Sequence, residues 1–169
     1  MERIERKTNP VRKKIIRWCL LLAVMAAMVY GYTRIPYFVV KRNLTLQNNY
    51  TYETYEKLLE KRALYLSEEY LERFNTYNSL LEQRQYIKDH KRNSRLIRLE
   101  LGKRRLDGSI PYTVIYELSY EDGEGKNQKV HVEGVQVLER SWLIWWKVRD
   151  NQILHACTDL DAGGGEFHE

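Results

Sequence analysis

The chain is poor in cysteine and proline, and past its first residues it has no excess of charge. Two of its 169 residues are Cys and three are Pro. Cys19 falls in an apolar run near the N-terminus and Cys157 lies near the other end. A membrane between them would keep them from pairing, so no internal disulfide is expected. Cys157 reads as a buried, inert thiol. Catalytic motifs are missing as well: there is no nucleophile elbow, phosphate loop, HExxH or paired CxxC. His155 and Cys157 offer two ligands at i, i+2 without a third, so no metal or other cofactor is expected. His131, set between Lys129 and Glu133, reads as solvent-facing rather than as a base paired with Glu117 or Glu133. The chain is expected not to be an enzyme.

Charge excludes another class. Lys and Arg number 28 and Asp and Glu 23, a net of +5. Residues 1–17 hold seven of the basic residues (3, 6, 7, 12, 13, 14 and 17) and two of the acidic ones (2 and 5). That segment therefore carries the whole +5, and the remainder is neutral. The high isoelectric point is thus no sign of nucleic-acid binding, despite Lys103-Arg-Arg105, and no nucleic-acid partner is expected.

What is present begins with an uncharged run, Trp18 to Tyr32 (WCLLLAVMAAMVYGY), directly after Val11-Arg-Lys-Lys-Ile-Ile-Arg17. As a helix these 15 residues cover ~22 Å, short of a ~30 Å hydrocarbon core. Ile15 and Ile16 extend the run, Arg17 can snorkel, and Ile35-Pro-Tyr-Phe-Val-Val40 would lie at the outer interface. Trp18, Leu20, Leu21, Leu22, Val24, Met25, Met28, Val29 and Tyr30 are the expected anchor residues, in contact with membrane lipid. Trp18 marks one interface; Tyr30, Tyr32 and Tyr37 mark the other. The basic flank places the N-terminus in the cytoplasm and the rest outside, as in a single-pass protein of the cell membrane. A cleaved signal peptide is the competing reading, but Val29-Tyr30-Gly31 is a poor small-x-small site. Both readings export the C-terminal part.

The chain then divides into a basic cytoplasmic tail (1–17), a transmembrane helix with its outer interface (18–40), a polar linker (41–50), an extracytoplasmic α+β domain (51–157) and a disordered tail (158–169). Tyr52, Tyr55, Leu59, Ala63, Leu66, Tyr70, Phe74, Tyr77 and Leu81 step by three or four, the stripe of an amphipathic helix. Asn75-Thr-Tyr-Asn78 interrupts it, and Ser79-Leu-Leu-Glu82 fits a capping box. Two helices are expected, about 51–74 and 79–91. After Asn93 the period changes to two, with strands around Arg95 to Leu101 and Tyr112 to Tyr120. A hairpin turn is expected at Asp122-Gly-Glu-Gly125. Val130 and Val132 lead to a phase change at Gly134, the mark of a β-bulge. Trp142 to Arg149 reads as a fourth strand and Ile153 to Cys157 as a short fifth.

Helices before strands indicate an α+β fold, with helices packed on one face of a curved antiparallel sheet. This order, with Trp142-Leu-Ile-Trp-Trp-Lys-Val-Arg-Asp-Asn151 in the last strand pair, resembles the cone-shaped domains of the nuclear transport factor 2-like superfamily over about residues 50–157. The whole layout of basic tail, single span and cone is similar to bitopic assembly factors of bacterial conjugation and type IV secretion channels. That resemblance implies a non-enzymatic scaffold or interaction module in an envelope complex, with other envelope proteins as partners and homo-oligomers. Trp142, Trp145 and Trp146 place large rings on both sheet faces, so one face is expected to meet a partner. Thirteen tyrosines against three phenylalanines suit cavity linings too. Hence the alternative is a cone that holds a small ligand or lipid, or an isomerase-like site with an acid–base pair inside it.

Overall fold

The computed structural model describes residues 10–76, 79–121, 127–142 and 145–160. Five helices precede four strands: α1 (Pro10–Thr33), α2 (Ile35–Asn48), α3 (Tyr55–Ala63), α4 (Glu68–Thr76), α5 (Ser79–Asp89), then β1 (Arg92–Leu101), β2 (Ile110–Tyr120), β3 (Gln128–Arg140) and β4 (Trp146–Leu160). The strands form one open antiparallel sheet in the order β1-β2-β3-β4. The fold is α+β, as the change of period implied.

α1 is apolar on every side and exposed on every side over its uncharged stretch, from Trp18 to Tyr30. A helix with no polar face is not a surface helix of a soluble domain. Its 18 residues from Ile15 to Tyr32 rise about 27 Å. It is long and apolar enough to cross a membrane.

The expected linker at 41–50 is instead helical to Asn48, and it belongs to the core. Pro36, Val39, Val40, Asn43, Leu44 and Asn48 are buried along α2, spaced by three and four as one face of a helix requires. Val39 and Val40, expected at the outer interface, are fully enclosed. The polar letters on this stripe disguised it. Asn43 Oδ1 accepts a hydrogen bond from Arg62 Nε (2.8 Å), Asn48 Nδ2 donates to Leu44 O (2.9 Å), and Ser94 Oγ donates to Asn48 O (2.8 Å). These bonds meet the Asn48 amide nitrogen and the Asn43 amide oxygen, while Asn43 Nδ2 is buried without a partner among the described residues.

The expected helix at 51–74 is two helices. Between them Leu64–Ser67 runs beside β4: Val148 N donates to Tyr65 O (2.8 Å) and Ser67 N to Val148 O (2.9 Å). Ser67 Oγ then accepts from Tyr70 N (3.1 Å) and caps α4. The interruption at Asn75–Asn78 falls partly on residues outside the described ones and the turn at Asp122–Gly125 wholly so. Of the tail expected to be disordered over 158–169, residues 158–160 are instead paired with β3 as the end of β4, and the rest lies outside the described residues.

The helices cover the sheet face formed by Ile110, Tyr112, Val114 and Leu118 of β2, Val130, Val132 and Leu138 of β3, and Trp146 and Val148 of β4. Val39, Val40, Leu44 and Leu66 pack against it. β4 is one long strand where two had been expected. Arg149 and Leu154 are its extra residues, since Leu138 pairs with Val148 but Val137 with Asp150, and Gly134 with Ile153 but Glu133 with His155. The bulge expected at Gly134 therefore lies across from it, on the partner strand. β3 keeps its phase, and Val135 is buried on the other face.

Candidate functional site

Two places bring chemically distinctive side chains together. The first is the junction of α1 and α2. Pro36 has no N–H to give the carbonyl four residues back, that of Tyr32. Arg104, in the β1–β2 connection, supplies the missing donor: its Nη1 lies 3.0 Å from Tyr32 O. Trp146 Nε1 reaches Gly31 O at 3.3 Å. The Arg104 guanidinium rests over the Trp146 ring at 4.3 Å and over the Tyr32 ring at 4.8 Å. Arg104 N also donates to the Tyr37 hydroxyl (2.9 Å). The junction at Pro36 is thus tied to the β1–β2 connection by Arg104 and to the start of β4 by Trp146.

The three tryptophans expected to meet a partner have three different places. Trp146 is 7% exposed and lies inside the junction, where the end of α1 covers it. Trp145 is half-buried near Tyr65, with ring centroids 6.4 Å apart. Trp142, at the tip of the β3–β4 connection, is 71% exposed. The anchor residues Trp18, Leu20, Leu21, Leu22, Val24, Met25, Met28, Val29 and Tyr30 are all exposed along α1.

The second place is a cavity of about 470 Å³ between helices and sheet. Tyr50, Tyr55, Tyr70 and Tyr116 line it, with Arg62, Arg92, Gln47, Gln83, Ser94 and Asn151, and apolar residues such as Leu46, Leu59 and Leu118. No Asp, Glu or His stands in that lining. Among the described residues that lining therefore holds no carboxylate or histidine for an acid–base pair of the isomerase kind. His131 sits at an odd position of β3, on the opposite face from Val130 and Val132, 3.7 Å from Glu133.

The electrostatics of the cavity are one-sided. Arg62 is buried, and desolvation pulls its guanidinium below the ordinary range, with nearby Tyr70 and Tyr55 working the other way. Arg92 donates from Nε (3.0 Å) and Nη2 (2.7 Å) to the Tyr50 hydroxyl. Burial raises Tyr50, Tyr55 and Tyr116 above the usual tyrosine value, so all three keep their protons at neutral pH. Tyr50 accepts two hydrogen bonds from Arg92 and still has its own proton to give. Gln47 Oε1 is buried with no hydrogen-bond partner among the described residues.

Sequence reasoning found the tyrosines but missed both arginines. A signal existed for one: Tyr55, Leu59, Arg62 and Leu66 step by four, three and four, so Arg62 occupies the stripe itself. Cys157, expected to be buried, is exposed on β4, as is His155, and Cys19 is exposed on α1. Among the described residues no group of three or more His, Cys, Asp or Glu is placed to hold a metal.

No family model matches the chain, and no curated protein or solved structure matches it.

Proposed function

We propose that the chain is a single-pass membrane protein whose domain, outside the cell membrane, is a non-enzymatic interaction module in an envelope complex. One observation carries this reading: the apolar helix passes through a clamped kink directly into α2, the helix at the centre of the domain core. A tether needs only a flexible linker. An anchor that is continuous with the core instead fixes how the domain faces the membrane, which serves an assembly rather than a free enzyme. The resemblance in layout to conjugation and secretion assembly factors is in keeping with such a role.

The free side of β4 is the surface that would receive a partner. Leu66 pairs beside Val148. Beyond Asp150, β4 pairs only with β3 among the described residues, and Ile153 to Asp159 are exposed on both faces. An open edge of this length accepts another strand, from a second copy or from another envelope protein. Two tests follow. Protease added outside intact cells should remove the domain; a protected domain would overturn the topology. A photo-crosslinker in place of Leu154 should yield adducts in the native membrane, with one at Leu81 on α5 as the control. Equal yields at the two positions would remove the β4 edge from the proposal.

A second reading is favoured by the cavity: the domain also holds a small organic anion. The volume falls within the ~300–1,000 Å³ of small-molecule sites, and the lining has two guanidinium groups and no carboxylate. Phenyl phosphate and benzoate should bind the detergent-solubilised protein, and Arg92→Gln should weaken that binding about tenfold or more, as loss of a charge-assisted hydrogen bond does. Benzamide binding as tightly as benzoate, read by calorimetry, would leave the cavity a packing defect filled with water.

A further inference from the structure

We propose that the two loops beside the anchor form a lipid-binding foot that seats the domain on anionic headgroups of the leaflet from which α1 emerges. This rests on α1 being a membrane span. In a four-stranded meander the β1–β2 and β3–β4 connections share one end of the sheet. Here that end is the anchor end: Arg104 of the first loop holds Tyr32 O, and Trp146, at the close of the second, holds Gly31 O. Tyr32 is the last residue of the uncharged run. Both loops therefore lie within about one side chain of the level at which hydrocarbon gives way to headgroups.

Each loop carries an exposed apolar side chain among its described residues. Leu106 is fully exposed, and Trp142 projects from the turn that its own backbone closes with Trp145. A single exposed leucine needs no explanation. A leucine and a tryptophan on two loops at the end of the sheet that meets the span occupy the zone where aromatic and apolar side chains partition favourably.

The charge has the matching sign. Arg34 at the kink and Lys103 and Arg105 of the first loop are exposed. The only acid of residues 102–109 is Asp107, whose Oδ1 already accepts from Ser109 N (2.9 Å) and Ser109 Oγ (2.6 Å). Three cations around an apolar tip attract lipid phosphates, at short range and in a salt-dependent way. Asp159 supplies an internal control, since it is exposed and pairs with Lys129 at the opposite end of the sheet from the two loops.

The test uses the full chain with Cys19 and Cys157 replaced by Ser. Single cysteines at Met25, Leu106, Trp142 or Asp159 carry an environment-sensitive fluorophore, in phosphatidylcholine vesicles with one quarter phosphatidylglycerol. Headgroup-borne nitroxide should quench the labels at Leu106 and Trp142 at least threefold more than the label at Asp159. Lys103→Gln with Arg105→Gln, or omission of phosphatidylglycerol, should halve that difference. Quenching at Leu106 and Trp142 equal to that at Asp159, with Met25 quenched by a mid-chain nitroxide, overturns the foot and leaves the span standing. Loss of water access at Leu106 without lipid quenching overturns it in favour of a protein cover. A Met25 label that escapes the mid-chain nitroxide overturns the span, and the foot with it.

Discussion

Trp146→Ala should destabilise the domain by about 3–5 kcal/mol, the range for truncating a buried tryptophan. The indole is 7% exposed. It meets the Tyr32 ring edge-on at 5.9 Å, lies under the Arg104 guanidinium at 4.3 Å and gives its N–H to Gly31 O. The Tyr32 and Gly31 contacts join the sheet to α1 directly and the Arg104 contact does so through its bond to Tyr32 O, so their loss frees the junction as well as opening a cavity. Trp146→Phe keeps part of the packing and loses the hydrogen bond, which should cost roughly 1–3 kcal/mol through the carbonyl left behind. Trp142→Ala, at an exposed loop tip, should stay within about 0.5 kcal/mol of the parent. Denaturant unfolding of the full chain in micelles, followed by near-ultraviolet circular dichroism, measures all three. Equal losses at Trp142 and Trp146 would contradict the junction described here. Limited proteolysis near Arg34 should increase in Trp146→Ala and not in Trp142→Ala.

These tryptophans also mark how far the amino-acid sequence could be read. Their closeness on one strand pattern indicated that rings would appear on both faces. It could not indicate that α1 ends beside one of those faces, because that depends on Pro36 and on Arg104, 68 residues later. α1 itself was legible, since an apolar helix without a polar face follows from composition alone. α2 was not. Its buried stripe includes Asn43 and Asn48, and their partners, Arg62 and Ser94, come from α3 and β1. A helix whose buried face carries polar residues that meet distant elements looks like a loop from its own letters.

The cavity repeats that lesson. Thirteen tyrosines suggested linings, but Arg62 and Arg92 resemble ordinary surface charges among Glu60, Lys61 and Lys91. An inward-turned arginine is recognised only through what surrounds it, here Asn43 for Arg62 and the Tyr50 hydroxyl for Arg92. The meander was easier to see. Alternation over β2 and β3 is local information, and their pairing from Ile110–Gln136 to Leu118–Gln128 runs without a slip. The bulges were harder, because an extra residue on β4 changes the register seen from β3 without changing the pattern of β3 itself.

Gly134 is where that register becomes a stability prediction. Gly134→Ala should cost about 3 kcal/mol, the upper part of the usual range for overpacking. A Cβ there would meet the Tyr112 hydroxyl at 2.5 Å and Gln152 O at 2.7 Å. Tyr112 pairs directly with Gly134, and its hydroxyl donates to Asn151 Oδ1 at 2.9 Å, so the ring lies across the glycine to reach β4. The two clashes differ in kind. The tyrosine ring can be displaced; the Gln152 carbonyl belongs to the backbone of β4 and moves only if the strand moves. In a Tyr112→Leu background the alanine should therefore cost less, yet not nothing, because the carbonyl stays. A double-mutant cycle by denaturant unfolding separates the two contributions. Strict additivity would show that the ring does not need the glycine. A cost that vanishes entirely would show that the β4 backbone is further away than the register implies.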